Sequence, residues 1–300
     1  MLDIKFKNET KDLKDLNETF QDISFWESFS PNLDIAKDLP NKVINLSKKK
    51  GQNLREKILY NGFIHLNQPG LVNATQEINK TIMSLVRIGL PPVFIFIYDE
   101  PWKIQYQTKN IVKKLIDGNY KLLPDFWAWH VEQGESGWKE HRDKGAKSMF
   151  DDNSPKSLTL WVPLTNAFPE NSCMYILPAN KDRHYSEENP PNLSFGFPGN
   201  LSDIQALPAK PNDVLIWNQK VVHWGSTSNS SHSLGPRISL AFEFQRDDVE
   251  PFNKPLIDPN SLPTYNERLQ LIGKQIIQYT HMYGFNENLV DLAKLMLKAK

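Results

Sequence analysis

A histidine and a carboxylate stand two positions apart, as His141 and Asp143, in the segment Trp138-Lys139-Glu140-His141-Arg142-Asp143-Lys144-Gly145. In extended backbone, residues i and i+2 project from the same face, so the imidazole nitrogen and the carboxylate oxygen can converge on one cation. A third ligand is supplied by His223, in Val221-Val222-His223-Trp224-Gly225, 80 residues beyond Asp143 and just after the run Asp213 to Trp217. Two histidines and one carboxylate suit iron(II), because three protein ligands leave three positions open for a bidentate co-substrate and dioxygen. Fourteen positions after His223, Arg237 and Ser239 repeat the i, i+2 spacing at the opening of another strand. A guanidinium fork and a hydroxyl on one face can receive a carboxylate, such as the distal one of chelated 2-oxoglutarate.

A rival pair is present. His130-Val131-Glu132 has the same geometry, but it lies inside the continuous run Phe126 to Gln133 rather than at a loop junction. His130 could equally line a pocket or sit satisfied in the core. Trp129, Trp138, Trp161 and Trp224 cluster around the motif segments and are candidates to wall a substrate pocket. His184 and His232 fall in loop-like segments, and His65 and His281 on a predicted strand and helix. The single cysteine, Cys173, lies in the apolar stretch Cys173 to Leu177, which predicts a buried structural thiol.

The elements that must position these groups are short. Runs rich in aromatic and β-branched residues, Phe126 to Gln133, Ser157 to Leu164, Cys173 to Leu177, Asp213 to Trp217 and Ile238 to Phe244, are separated by Gly, Pro, Asn and Ser clusters. Broken strands without intervening helices predict an antiparallel sandwich or barrel. Ahead of them, Leu54 to Tyr60 is a short amphipathic piece. Ile78, Ile82, Leu85 and Ile88 mark a helical face with Asn73 as N-cap and Gly89 with Pro91-Pro92 as the stop. Val93 to Tyr98 reads as a strand, and Trp102 to Ile116 as a second helix. Behind the strands, Thr264 with Glu267 makes a capping box, and an apolar face continues to Gly284, with a last helix from about Glu287. The expected organisation is a helical extension over 1–54, a β core over 55–250, and C-terminal helices over 251–300 packed on that core as one globular unit.

Composition narrows the function classes. Lys plus Arg and Asp plus Glu each number 35 in 300 residues, so zero formal net charge provides no general field toward nucleic acid or anionic lipid. The N-terminus turns charged at once, which predicts a cytoplasmic protein. The longest concentrated apolar run, Val93 to Tyr98, is far short of the roughly 20 residues a membrane span needs. The expected partners are a small-molecule substrate and dioxygen, with neither nucleic acid nor membrane.

Over about residues 55 to 247 the chain resembles the phytanoyl-CoA dioxygenase family of iron(II)/2-oxoglutarate oxygenases. The matching segments are His141-Arg142-Asp143, Asn171-Ser172-Cys173-Met174-Tyr175-Ile176-Leu177-Pro178-Ala179-Asn180, and His223-Trp224-Gly225-Ser226 with Asn229 and Arg237. The resemblance implies a double-stranded β-helix, or jelly roll, of the cupin type. It also implies iron ligation by His141, Asp143 and His223, an Arg237 anchor for 2-oxoglutarate, and hydroxylation of an aliphatic carbon with release of succinate and carbon dioxide. Halogenating relatives carry a small residue where Asp143 stands, so hydroxylation is favoured. The chain departs from the family pattern at Pro178-Ala179-Asn180-Lys181 and in the Pro/Asn-rich insert Arg183 to Ile204. Two alternatives stand beside this reading: a jelly-roll binding protein without turnover, and a cupin-type metal enzyme that does not use 2-oxoglutarate.

Overall fold

Alternating residues of the last long strand divide the molecule into two sides. Ile238, Leu240, Phe242 and Phe244 enter a helix-covered core, and Arg237, Ser239, Ala241 and Glu243 form the other row. The computed structural model describes residues 13–40, 42–67, 69–71, 75–191, 193–231 and 233–299. Its helices are α1 (Leu13–Gln21), α2 (Ile23–Phe29), α3 (Lys48–Asn61), α4 (Thr75–Arg87), α5 (Asp99–Gln107), α6 (Lys109–Ile116), α7 (Tyr265–Tyr283) and α8 (Glu287–Met296). The strands are β1 (Phe63–Leu66), β2 (Tyr120–Val131), β3 (Ser157–Pro163), β4 (Met174–Leu177), β5 (Gln205–Leu207), β6 (Val214–Asn218), β7 (Val222–Gly225) and β8 (Arg237–Arg246).

The strands pair antiparallel in two sheets, one ordered β1-β6-β3-β8-β2 and a smaller one ordered β5-β4-β7. The chain between β2 and β3 extends the smaller sheet irregularly along β7. His141 and His223 exchange backbone hydrogen bonds of 3.1 and 3.0 Å, and Gly225 N–H donates to Trp138 at 3.0 Å. The two sheets face each other, and the helices cover the outer face of the larger one.

The run Val93 to Tyr98, read from sequence as a strand, is instead a 3-10 helix over Pro92–Ile97. It is buried on every side, so its continuous apolarity carries no period that distinguishes a strand from a buried helix. Pro92 at its start presets a helical φ, and Phe96 packs edge-on to Phe242 with ring centroids 5.6 Å apart. The single helix expected over Trp102 to Ile116 is two helices, broken where the Thr108 hydroxyl donates to Gln105 O at 2.8 Å. Asn73 lies outside the described residues. The capping box at Thr264 and Glu267 is present, and Gly284 takes the left-handed conformation that ends α7. The N-terminal helices contribute Phe20 and Trp26 to the core, where Trp26 stacks on Phe94 at 5.7 Å. Among the described residues, no helix is long and apolar enough to cross a membrane.

β2 carries an irregularity between Leu122 and Phe126. Pro124 has no N–H for the ladder, and the bulge it makes re-aims the following side chain. Asp125 thereby lines the cavity between the sheets.

Candidate active site

The cavity has a volume of about 290 Å³. His141 enters it from the irregular strand beside β7, His223 from β7 and Asp143 from the loop between them. Nε2 of His141 lies 3.3 Å from Oδ1 of Asp143, Nε2 of His223 lies 3.4 Å from the same oxygen, and the imidazole centroids are 4.3 Å apart. All three ligand atoms fall within 4.8 Å of one another, and among the described residues this is the group of three that could hold a metal ion.

Hydrogen bonds aim each donor atom. The His141 Nδ1–H donates to Lys139 O at 2.7 Å and the His223 Nδ1–H to Val221 O at 3.3 Å. A carbonyl can only accept, so both rings keep the proton on Nδ1 and present the Nε2 lone pair to the shared point. Asp143 is held through its other oxygen: Oδ2 accepts from the Thr159 hydroxyl at 2.7 Å and from the Trp217 indole N–H at 3.1 Å. Burial acts to raise the Asp143 pKa, but His223 and His141 outweigh it and hold the carboxyl well below its ordinary range. Burial also lowers the His223 pKa, partly offset by Asp143, so the neutral imidazole that a metal requires is favoured.

Arg237 and Ser239 stand on the same inward row of β8. Arg237 is 1% exposed, and its guanidinium donates to Ser172 O at 3.1 Å, to Ser239 Oγ at 2.8 Å and to Ser172 Oγ at 3.4 Å. Among the described residues no carboxylate pairs with it. Its nearest large neighbours are the rings of Trp129 and Trp161, at 5.7 and 5.8 Å, and burial pushes its pKa down to about 10. A β-carbon added at Gly225 would lie 3.1 Å from Arg237 Nη2. The guanidinium therefore sits beside a residue one i, i+2 step along β7 from His223, roughly 7 Å.

The chain shares its fold with the carbocyclase SnoK. That non-heme alpha-ketoglutarate-dependent enzyme of nogalamycin biosynthesis superposes with a TM-score of 0.52 at 16% identity, over 73% of this chain and 100% of its own. EctD from S. alaskensis, in its apo form, gives 0.52 at 14% identity over 78% and 91%, respectively. The epimerase SnoN, in complex with Fe3+, alpha-ketoglutarate and nogalamycin RO, gives 0.50 at 16% identity over 73% and 96%. At these identities the likeness concerns the fold, and it supports the antiparallel β core expected from the strand pattern and the jelly-roll architecture that the family resemblance implies; the larger and smaller sheets here do not close into a barrel. No protein-family model and no curated protein matches the chain.

Of the four tryptophans expected in the pocket wall, Trp129, Trp138 and Trp161 line the cavity. Trp224 does not. Adjacent strand residues face opposite ways, so with His223 inward Trp224 points outward, stacking on Tyr175 at 5.7 Å and meeting Phe197 edge-on at 5.9 Å. His130 likewise alternates with cavity-lining Trp129 and turns to the helical side, where its Nε2 lies 3.3 Å from both Met83 Sδ and Glu132 Oε1. Among the described residues no third ligand joins His130 and Glu132. His184 pairs with Glu187 at 2.7 Å, and His232 lies outside the described residues. Burial pushes the pKa of Cys173, fully enclosed, up to about 11.

Several residues of the site escaped the sequence reading. Thr159 and Trp217 orient Asp143, and Tyr279 and Tyr283 of α7 close the cavity. Their signal was only inward alternation on β3 and β6 and an aromatic end to α7, which is equally the signature of core. Arg142, between the two motif ligands, forms a 2.7 Å ion pair with Asp182 at the base of the 183–204 insert and donates to Lys220 O.

Gly137 and Gly225 cross back to back beside the ligands. A β-carbon on Gly137 would lie 2.6 Å from Gly225 Cα, a backbone atom that moves only if the strands part. Gly137→Ala is expected to lower divalent-metal affinity about tenfold or more, comparable to losing a partner that orients a ligand. Calorimetric titration with Mn(II), with circular dichroism as the fold control, checks this.

Proposed function

We propose that the protein is an iron(II)- and 2-oxoglutarate-dependent oxygenase that hydroxylates an aliphatic carbon of a small molecule, similar to the phytanoyl-CoA dioxygenase family. The observation that carries the reading is the buried Arg237 guanidinium, without a carboxylate partner among the described residues, one strand step from a His-Asp-His cluster. An isolated buried cation is costly, and a dicarboxylate chelating the metal at one end would neutralise it at the other. A cupin-type enzyme working without 2-oxoglutarate has no use for Arg237 in this position, and a binding protein has none for three aligned metal donors.

The donor set fits the ion: two neutral imidazoles and one carboxylate on one side leave the opposite positions open. Iron(II) and 2-oxoglutarate, when bound, supply the oxidation, consuming dioxygen and releasing succinate and carbon dioxide. His141, Asp143 and His223 would hold the iron, with Thr159, Trp217 and the two backbone carbonyls fixing their orientation. Arg237, braced by Ser239 and Ser172, would hold the distal carboxylate and so set the direction of the co-substrate. Trp129, Trp138 and Trp161 would exclude water and position the substrate carbon.

Decarboxylation of 1-labelled 2-oxoglutarate by the iron-loaded protein tests the reading. Slow uncoupled succinate release is expected, stimulated by a fitting substrate. Absence of turnover across a broad panel, together with no calorimetric binding of 2-oxoglutarate, would sink it.

A further inference from the structure

The inward row of β8 that begins with Arg237 reaches Glu243 roughly 20 Å along the strand, and Glu243 also lines the cavity. One of its oxygens is fully engaged: Oε2 accepts from Gln219 Nε2 at 2.7 Å and lies 3.1 Å from the Lys144 amine. Oε1 has no hydrogen-bond partner among the described residues. Gln219 Nε2 also donates to the Thr159 hydroxyl at 3.0 Å, and Thr159 donates to Asp143. Glu243 is thus separated from a metal ligand by two side chains, on the far side of that ligand from Arg237.

We propose that Glu243 is a specificity-determining residue whose free Oε1 accepts a hydrogen bond from a protonated amine of the substrate. The inference rests on the oxygenase reading. Charge and walls both favour a cation. With Glu243 ionised, Asp125, Glu243 and Lys144 leave this end one negative charge in excess, whereas iron(II), its ligands, 2-oxoglutarate and Arg237 would balance one another at the other end. Asp125 is already occupied, accepting from Gln278 at 2.7 Å and Asn253 at 2.9 Å, which leaves Glu243 to meet the ligand. Trp127, in the cavity wall, pairs across the ladder with Ala241, one inward step from Glu243, and gives that end an aromatic side. Burial pushes the Glu243 carboxyl up to about 8 although Lys144 opposes the rise, so the empty cavity favours the protonated acid, and a bound ammonium group would draw it into the ionised form.

Calorimetry on the protein loaded with Ni(II) and 2-oxoglutarate tests this with benzylamine and its neutral isostere benzyl alcohol. Binding of 2-oxoglutarate itself is read first, and its failure sinks the oxygenase reading and this inference with it. With the co-substrate bound, benzylamine is expected to bind at least about tenfold more tightly than benzyl alcohol, the worth of one hydrogen bond to a charged group. Glu243→Gln is expected to abolish that preference. Equal affinities in the natural protein, no benzylamine binding, or an amine preference that survives Glu243→Gln would each overturn the proposal. The comparison of the two probes in the natural protein decides it even if the variant does not fold.

Discussion

In His223→Ala and Asp143→Asn, divalent-metal affinity is expected to fall by at least about a thousandfold, beyond the 10- to 100-fold that losing an outer partner of a ligand costs. Three donors within 4.8 Å would hold one ion together, and either substitution leaves a pair without the matching charge or lone pair. The two variants separate metal binding from folding. Asparagine keeps an oxygen to accept from Thr159 and Trp217, whereas Asp143→Ala strands both buried donors and costs a further ~1–3 kcal/mol of stability. His223→Ala leaves the β7 backbone pairing intact. Mn(II) calorimetry and thermal melting read the two effects independently. Metal retained by His223→Ala would move the centre elsewhere, with His130 and Glu132 the first place to look.

Arg237→Met is expected to lower 2-oxoglutarate affinity by about 2–5 kcal/mol, a factor on the order of 30 to several thousand, because a buried hydrogen-bonded charge pair would lose one partner. The same substitution is expected to leave the stability of the ligand-free protein within about 1 kcal/mol. Removing a buried cation that has no counter-ion among the described residues relieves its desolvation cost, and this offsets the lost bonds to Ser172 and Ser239. A purely structural arginine would behave in the opposite way, with a large fall in melting temperature and little change in 2-oxoglutarate binding. Arg237→Lys is expected to recover only part of the affinity, since the amine keeps the charge but not the fork.

The candidate site was legible in part because strands impose a period of two. His141 with Asp143 and Arg237 with Ser239 carry that spacing in the chain itself, and the structure places His141, Asp143 and Arg237 on the cavity, with Ser239 behind it accepting from Arg237. The same period, applied to His223, already implied that Trp224 would face away, a consequence the tryptophan clustering obscured. Val93 to Tyr98 misled for the complementary reason: a segment buried on all sides has no polar face to reveal its period.

Residue types and spacing along the chain therefore determined which groups could share a face, where helices start and stop at Thr264 and Gly284, and that the β core is antiparallel. Only the tertiary structure decided which faces meet. The approach of His223 to His141 depends on two glycines crossing at backbone contact, and the aim of Asp143 on a threonine and a tryptophan from two other strands. The separation of Arg237 from every carboxylate among the described residues, and the Glu243 oxygen that none of them bonds, are likewise products of packing. Such relations join residues tens of positions apart and depend on where chain closure and side-chain volume bring them. Local propensity and spacing carry no record of that.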